Sequence, residues 1–281
     1  MRTVLEVLKM SADFLGGKGV ENPRLNAELL VGHALGLKRM QLYLQFERPL
    51  AEEELETIRG FLRRRGQHEP WQYIIGETEF SGLVLKADAR ALIPRPETEY
   101  MVELLTKRLT PPPARVLDLG TGSGAIALAL AIQWPQAQVT AVDCSAEALA
   151  LARENVRRAG LEPRVRLLQS DWFASMPSGE CFDLIVSNPP YLTEGEADAT
   201  AAEVRNFEPR TALTPGATGL EAIQGIIGGA RARLGEGGLL AMETGIAQHT
   251  AIAGLFSDAG FSRHEFIADL TGRPRFAWCW A

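Results

Sequence analysis

Hydrophobic residues fall in two patterns along the chain. From Thr3 to about Gln67 they return every three or four positions, as in Val4, Leu5, Leu8, Ala12 and Leu15 and again in Leu25, Leu29, Leu30 and Leu37. That spacing gathers side chains on one face of a helix. Asn22-Pro23 reads as a cap with proline at the first helical position, and Gly16-Gly17 and Gly36 punctuate the ends. Glu52 to Arg65 opens with acids and closes with Arg63-Arg64-Arg65, the order that suits a helix dipole. Residues 1–69 therefore read as a small helical bundle. The arginine triplet is a candidate RNA contact, but a solvated helix end is the favoured reading.

Residues 70–96 change character. Trp71, Tyr73, Ile74 and Ile75, then Gly76, Phe80, Gly82 and Leu83-Val84-Leu85, read as a short hairpin. Pro94 and Pro96 stiffen the segment that follows and keep Arg95 out of any helix. It is a semi-rigid connector, with Arg95 a candidate substrate contact.

Beyond residue 97 short apolar runs alternate with helical stretches. Arg115–Leu119, Gln138–Val142, Val165–Gln169, Phe182–Ser187 and Gly238–Glu243 read as strands. Helices fill the intervals, and Phe261–Ile267 and Pro274–Trp280 close the chain. Near-continuous apolar strands separated by helices predict a mostly parallel sheet covered on both faces, an α/β domain over 97–281.

Composition narrows the setting. The chain has 281 residues, 46% hydrophobic and 23% charged, which are globular values. No apolar run is long enough to span a membrane. The stretch from Met1 to Leu15 mixes Arg2, Glu6, Lys9 and Asp13 into its apolar residues, unlike a signal peptide, so a cytoplasmic location is expected. Cys144, Cys181 and Cys279 lie far apart, and His33, His68, His249 and His264 are scattered, so neither a disulfide framework nor a metal site is indicated. Residues 1–90 hold 13 basic and 13 acidic side chains, so the whole net charge of −6 falls on the C-terminal part. A phosphate-gripping surface is usually basic, and direct nucleic-acid binding is not expected.

Two loops carry the candidate chemistry. Gly120-Thr121-Gly122-Ser123-Gly124 joins the first strand to a helix, and Asp143 ends the second strand about twenty residues on. A glycine turn with a ribose-binding acid suits either a dinucleotide or S-adenosylmethionine, and Gly120, Gly122 and Ala125 satisfy the dinucleotide pattern as well. Asp118 has two readings, fixing the turn or touching the ligand. Asp171-Trp172, after the third strand, adds an acid that either bonds a ligand or caps the next turn and a ring that either meets a ligand or packs. Asn188-Pro189-Pro190-Tyr191 follows the fourth strand, at the sheet edge where ligands bind. The prolines present carbonyls without N–H groups, Asn188 adds an amide oxygen, and Tyr191 adds a flat ring. That set can hold a planar NH2 by its hydrogens while its nitrogen attacks, and it contains no base for neutral pH. A dehydrogenase leaves this loop unexplained, whereas a methyltransferase uses it.

These stretches together resemble the HemK/PrmC family, the N5-glutamine methyltransferases of class-1 peptide chain release factors. Leu92–Glu99 stands as the family's LIPRPETE, Val116–Gly124 as VLDLGTGSG, Ser170–Phe173 as SDWF, Leu184–Tyr191 as LIVSNPPY and Phe207–Leu213 as FEPRTAL. The Asn-Pro-Pro-Tyr run alone is shared with adenine-N6 methyltransferases; its combination with Leu92–Glu99 and Phe207–Leu213 is far more specific. The resemblance implies a class I S-adenosylmethionine-dependent methyltransferase fold, Rossmann-like with a seven-stranded, mostly parallel sheet, behind a helical bundle that helps dock the partner. It implies that S-adenosylmethionine contacts Gly120–Gly124, Asp143, Asp171, Trp172 and Asn188, leaving as S-adenosylhomocysteine. It implies that Asn188 and the Pro189 carbonyl accept the hydrogens of the glutamine amide in a release factor's Gly-Gly-Gln loop, with Pro190 and Tyr191 packing beside it. Ribosomal-protein glutamine methyltransferases, adenine-N6 methyltransferases and a non-catalytic module that retains cofactor are the alternatives. The chain departs from the family pattern at Met242-Glu243-Thr244-Gly245 and in Asp269–Arg273, both expected to lie away from the chemistry.

Overall fold

The computed structural model describes residues 2–281, which form two compact units. One unit runs to Glu77 and also takes in Ala201–Phe207; the other comprises Thr78–Thr200 and Glu208–Ala281.

The first unit is helical: α1 (Val4–Gly17), α2 (Pro23–Leu35), α3 (Arg39–Leu44), α4 (Glu52–Arg65) and α5 (Trp71–Ile75). Thr3 and Glu6 form a capping box that satisfies free amides at the start of α1. Pro23 occupies the first turn of α2 as the sequence predicts, but Asn22 lies in the left-handed region and makes no side-chain cap. The apolar stripes meet in a core of Val4, Val7, Leu8, Val31, Leu42, Leu50, Leu55 and Ile58. Two expectations need correction. Trp71–Ile75, expected to open a hairpin, is a helical turn closed by Gly76 at φ 82°. Arg65, expected at a solvated helix end, is buried and bonds Asn26 Oδ1 at 2.7 Å and Glu203 Oε2 at 2.5 Å. Glu203 lies 138 residues away in Ala201–Phe207, a stretch that is helical from Ala202 and held here by a buried guanidinium.

The second unit begins with the hairpin β1 (Glu77–Phe80) and β2 (Leu83–Lys86), which starts at the last residue of the helical unit. It continues with α6 (Pro96–Arg108), β3 (Arg115–Leu119), α7 (Ala125–Gln133), β4 (Gln138–Asp143), α8 (Ala146–Arg158), β5 (Val165–Gln169), β6 (Phe182–Ser187) and α9 (Glu194–Asp198). After α10 (Ala202–Phe207, in the first unit) come α11 (Glu221–Ala230), β7 (Leu234–Glu243), α12 (His249–Asp258), β8 (Arg263–Ala268) and β9 (Pro274–Trp280). The seven-stranded sheet has the order β5-β4-β3-β6-β7-β9-β8, with β9 antiparallel to both neighbours and the other pairings parallel. Strands β3 and β6 carry apolar residues on both faces because successive side chains enter opposite layers. Val116, Leu184 and Val186 join the layer of α6, α7 and α8, while Leu117, Leu119 and Ile185 join that of α11 and α12. Gly235-Glu236-Gly237, expected as a turn before the fifth strand, lies within β7, where a register shift against β6 absorbs it. No helix among the described residues is long and apolar enough to cross a membrane.

Chain order reverses at β3, with β4 on one side and β6 on the other. The loops after β3 and β6 therefore open side by side at the sheet's carboxyl edge. Ser187 Oγ donates to the Leu119 carbonyl at 2.6 Å and ties these two strand ends together.

Candidate active site

The glycine turn is built from both of its flanks. Gly120, Gly122 and Gly124 have φ of 71°, 56° and 86°, a left-handed backbone that disfavours side chains. The amides of Gly120 and Thr121 donate to the Val142 carbonyl at 2.8 and 2.9 Å, which folds the turn over the end of β4. Asp118 is fully buried beneath it. Its Oδ2 accepts from the Thr121 hydroxyl at 2.6 Å and the Ala127 amide at 3.2 Å, while Oδ1 is buried without a partner. Burial pushes its carboxyl up to about 7. Asp118 thus fixes the turn and does not line the cleft.

Asp143 also braces the turn. Its Oδ2 accepts from Gly122 N and its Oδ1 from Ser145 N, both at 2.9 Å. Burial raises its carboxyl above the usual range, against these amide bonds. Each oxygen has a second lone pair, so the acid can still accept from a hydroxyl in the cleft it lines.

Trp172 has φ 45°, uncommon for a bulky residue and the sort of strain that gathers at functional sites. The conformation lays its ring close to two glycines: a β-carbon added at Gly120 or Gly225 would lie 3.5 Å from ring atoms. Both glycines are therefore places where backbone approaches an aromatic face.

Gly120–Ser123, Asp143, Asp171, Trp172, Asn188 and Pro190 line one cleft of about 260 Å³. Thr98, Glu147, Ala89–Leu92, Pro94, Pro209, Thr211 and Ala212 are also on its wall. Gly124, Pro189, Tyr191 and Arg95 were also site candidates but are not on this lining. Gly124 starts α7, and a β-carbon there would touch Ala152 and Leu128 at 3.5 Å. The Nη2 of Arg95 bonds both oxygens of buried Glu208 at 2.7 and 2.8 Å, and Glu208 also accepts from Ile93 N. This joins the start of α6 to the segment bearing Pro209 and Thr211.

Behind Asn188 runs a chain of hydrogen bonds. Asn188 Nδ2 donates to Thr98 Oγ1 at 2.9 Å, Thr98 Oγ1 donates to Glu243 Oε2 at 2.6 Å, and the Tyr191 hydroxyl donates to Glu243 Oε1 at 3.0 Å. Burial raises the Glu243 carboxyl, while Thr98, Tyr191 and Arg275 pull it back. Burial and then Glu243 hold the Tyr191 phenol well above its usual value, so it stays a neutral donor. The run Met242–Gly245, expected to lie away from the chemistry, therefore stands directly behind it. Thr98 and Glu243 join the site without belonging to any of the loops that carry its candidate chemistry. For Glu243 the signal was present: an acid ending a buried strand needs a partner, the same reasoning that singles out Asp143.

Residues 6–76 match the PrmC N-terminal domain family, and residues 96–216 match the methyltransferase small domain family. The release factor glutamine methyltransferase of Geobacter sulfurreducens is 46% identical over 259 residues, covering 92% of this chain and 90% of its own length. That of Rhodopirellula baltica is 41% identical over 283 residues, covering 97% and 94%. The chain belongs to the release factor glutamine methyltransferase family. The fold of the family is shared more widely. The Thermus thermophilus 16S rRNA N2 G1207 methyltransferase, solved with AdoMet and guanosine, superposes with a TM-score of 0.52 at 21% identity, covering 73% of this chain and 49% of its own. Asn188 and Thr98, which bond each other, both lie in the matched methyltransferase region, which begins at Pro96.

Proposed function

We propose that this protein transfers a methyl group from S-adenosylmethionine to the side-chain amide nitrogen, N5, of the glutamine in the Gly-Gly-Gln loop of class-1 peptide chain release factors, in the cytoplasm. The observation that carries this reading is the Asn188 amide, anchored through its nitrogen so that its oxygen remains an acceptor beside the cleft.

The cleft suits this cofactor better than a dinucleotide. Its charged lining is Asp143, Glu147, Asp171 and Arg90, and Arg90 is already bonded to Asp88 and Glu154. A pyrophosphate would meet three carboxylates there, whereas a sulfonium and an ammonium are favoured by them. On this reading Asp143 takes the ribose hydroxyls, Trp172 the adenine, and the glycine turn the close passage of the amino-acid portion, a reading supported by their shared cleft. When bound, S-adenosylmethionine supplies an electrophilic methyl: the N–C bond forms as the C–S bond breaks, S-adenosylhomocysteine departs, and the surplus amide proton passes to water.

The protein's own contribution is alignment. An amide nitrogen is a poor nucleophile because its lone pair is delocalised into the carbonyl. Asn188 Oδ1 and the Pro189 carbonyl accept its two hydrogens and favour the geometry in which the lone pair points at the methyl carbon. Tyr191, neutral and pinned to Glu243, packs beside the glutamine without competing for a proton. Pro190 lines the slot, and the helical unit docks the release factor.

Asn188→Ala tests the reading. It should still bind S-adenosylmethionine and lose most turnover on a release factor. Full turnover in that variant sinks the mechanism.

A further inference from the structure

We infer that Glu243 and Thr98 are positioning residues that set which end of the Asn188 amide faces the substrate. The inference rests on the reading above, in which that amide must present oxygen and not nitrogen.

An asparagine side chain can turn over and exchange its oxygen for its NH2 with little change of shape, so something must choose. In this site the choice is made by donor counting. A carboxylate only accepts, so Glu243 takes a hydrogen from Thr98 at Oε2 and one from Tyr191 at Oε1. Thr98 has a single hydroxyl hydrogen, and it is committed to Glu243. Toward Asn188 it can offer only lone pairs, so it accepts from Nδ2. The reversed amide would set Oδ1 against the Thr98 oxygen with no hydrogen between them. Thr98 is 4% exposed where it meets the cleft and Glu243 1%, so the mismatched contact costs a largely buried hydrogen bond. Buried acid, hydroxyl and amide thus act as one directional chain, anchored at its far end by the phenol of Tyr191.

The chain makes an isosteric change informative. In Glu243→Gln the new amide can donate to Thr98, freeing the Thr98 hydrogen to point at Asn188 and stabilising the reversed amide. Thr98→Val removes the link altogether, and Thr98→Ser keeps it. Methyl transfer from labelled S-adenosylmethionine to a purified release factor, measured at saturation with the full-length protein, should fall by roughly 100-fold in kcat for Glu243→Gln and Thr98→Val, the scale of a misaligned reactant. KM for the factor and cofactor affinity by calorimetry should stay as in the wild type, and Thr98→Ser should restore turnover. Wild-type kcat in Glu243→Gln, or equal losses in Thr98→Val and Thr98→Ser, overturns the inference. A second readout does not depend on turnover. The Asn188 side-chain NH2 resonance, assigned by its loss in Asn188→Ala, should show one exchange-protected proton in the wild type and none in Thr98→Val. Protection unchanged in Thr98→Val also overturns it. A wild type that shows this protection but transfers no label to the factor refutes the substrate reading instead.

Discussion

The hydroxyl of Tyr191 donates to Oε1 of Glu243 across 3.0 Å, placing an aromatic loop residue in contact with the last residue of β7. The ring packs where the fourth strand ends, while its oxygen secures a buried carboxylate from the fifth. Arg275 and Glu97 also act on that carboxylate, the first favouring its charge and the second opposing it.

Tyr191→Phe keeps the ring and removes one of the two side-chain donors to Glu243. A buried charge that loses a donor costs about 1–3 kcal/mol, so unfolding in denaturant should shift by that order. The carboxyl, already raised by burial, should rise further. With Glu243 the ionised acceptor inferred above, activity should be lost on the acid side and the acid limb of the pH–rate profile should move to higher pH in the variant. A limb that stays in place would detach Glu243 from the reaction.

Asp118 gives a stability prediction with a defined sign. Its folded pKa of about 7 lies above the ordinary value of 3.8, so the folded state holds the proton more tightly. Its contribution to stability is complete below the ordinary value and is lost as pH rises through the folded value. Relative to Asp118→Asn, the wild type should lose stability between pH 4 and pH 7, by at most about 1.4 kcal/mol per pH unit, and no more above that. Parallel pH–stability curves for the two proteins would contradict the assignment.

Arg95 was a candidate for touching the substrate, yet its guanidinium is bonded to Glu208, whose side chain is 1% exposed. Removing the cation takes two charge-assisted hydrogen bonds from that buried acid. Arg95→Ala should destabilise by about 1–3 kcal/mol and weaken cofactor binding, since both joined segments wall the cleft. Adding Glu208→Gln should recover part of the stability, a coupling visible in a double-mutant cycle. An Arg95→Ala protein of normal stability with only a raised KM for the release factor would restore the substrate role.

How far the sequence carries depends on the range of the interaction. Strands β3 to β6 were readable because each is a short apolar run ending in glycine, acid or proline, and the helices between them keep their own period. The glycine turn, Asp143, Trp172 and Asn188 were readable for the same local reason, and the cleft brings them together. What escaped depends on distant partners. Arg65 reads as a surface arginine until Glu203 is placed beside it, and Ala202–Phe207 has no apolar face of its own to announce a helix. Trp71–Ile75 is apolar and short, and periodicity cannot separate a single helical turn from a strand of that length. Thr98 lies 90 residues from Asn188 and 145 from Glu243, so only the folded chain shows that the three form one unit.

The central claim is that the acceptors at Asn188 and Pro189 serve the amide of one particular glutamine. The most direct measurement follows label from S-adenosylmethionine into a purified class-1 release factor, into the same factor with its Gly-Gly-Gln glutamine changed to alanine, and into bulk RNA and ribosomal protein. The account predicts label on the wild-type factor and none on the altered factor, RNA or ribosomal protein. Label on the altered factor, or on RNA or ribosomal protein in place of the factor, would contradict it.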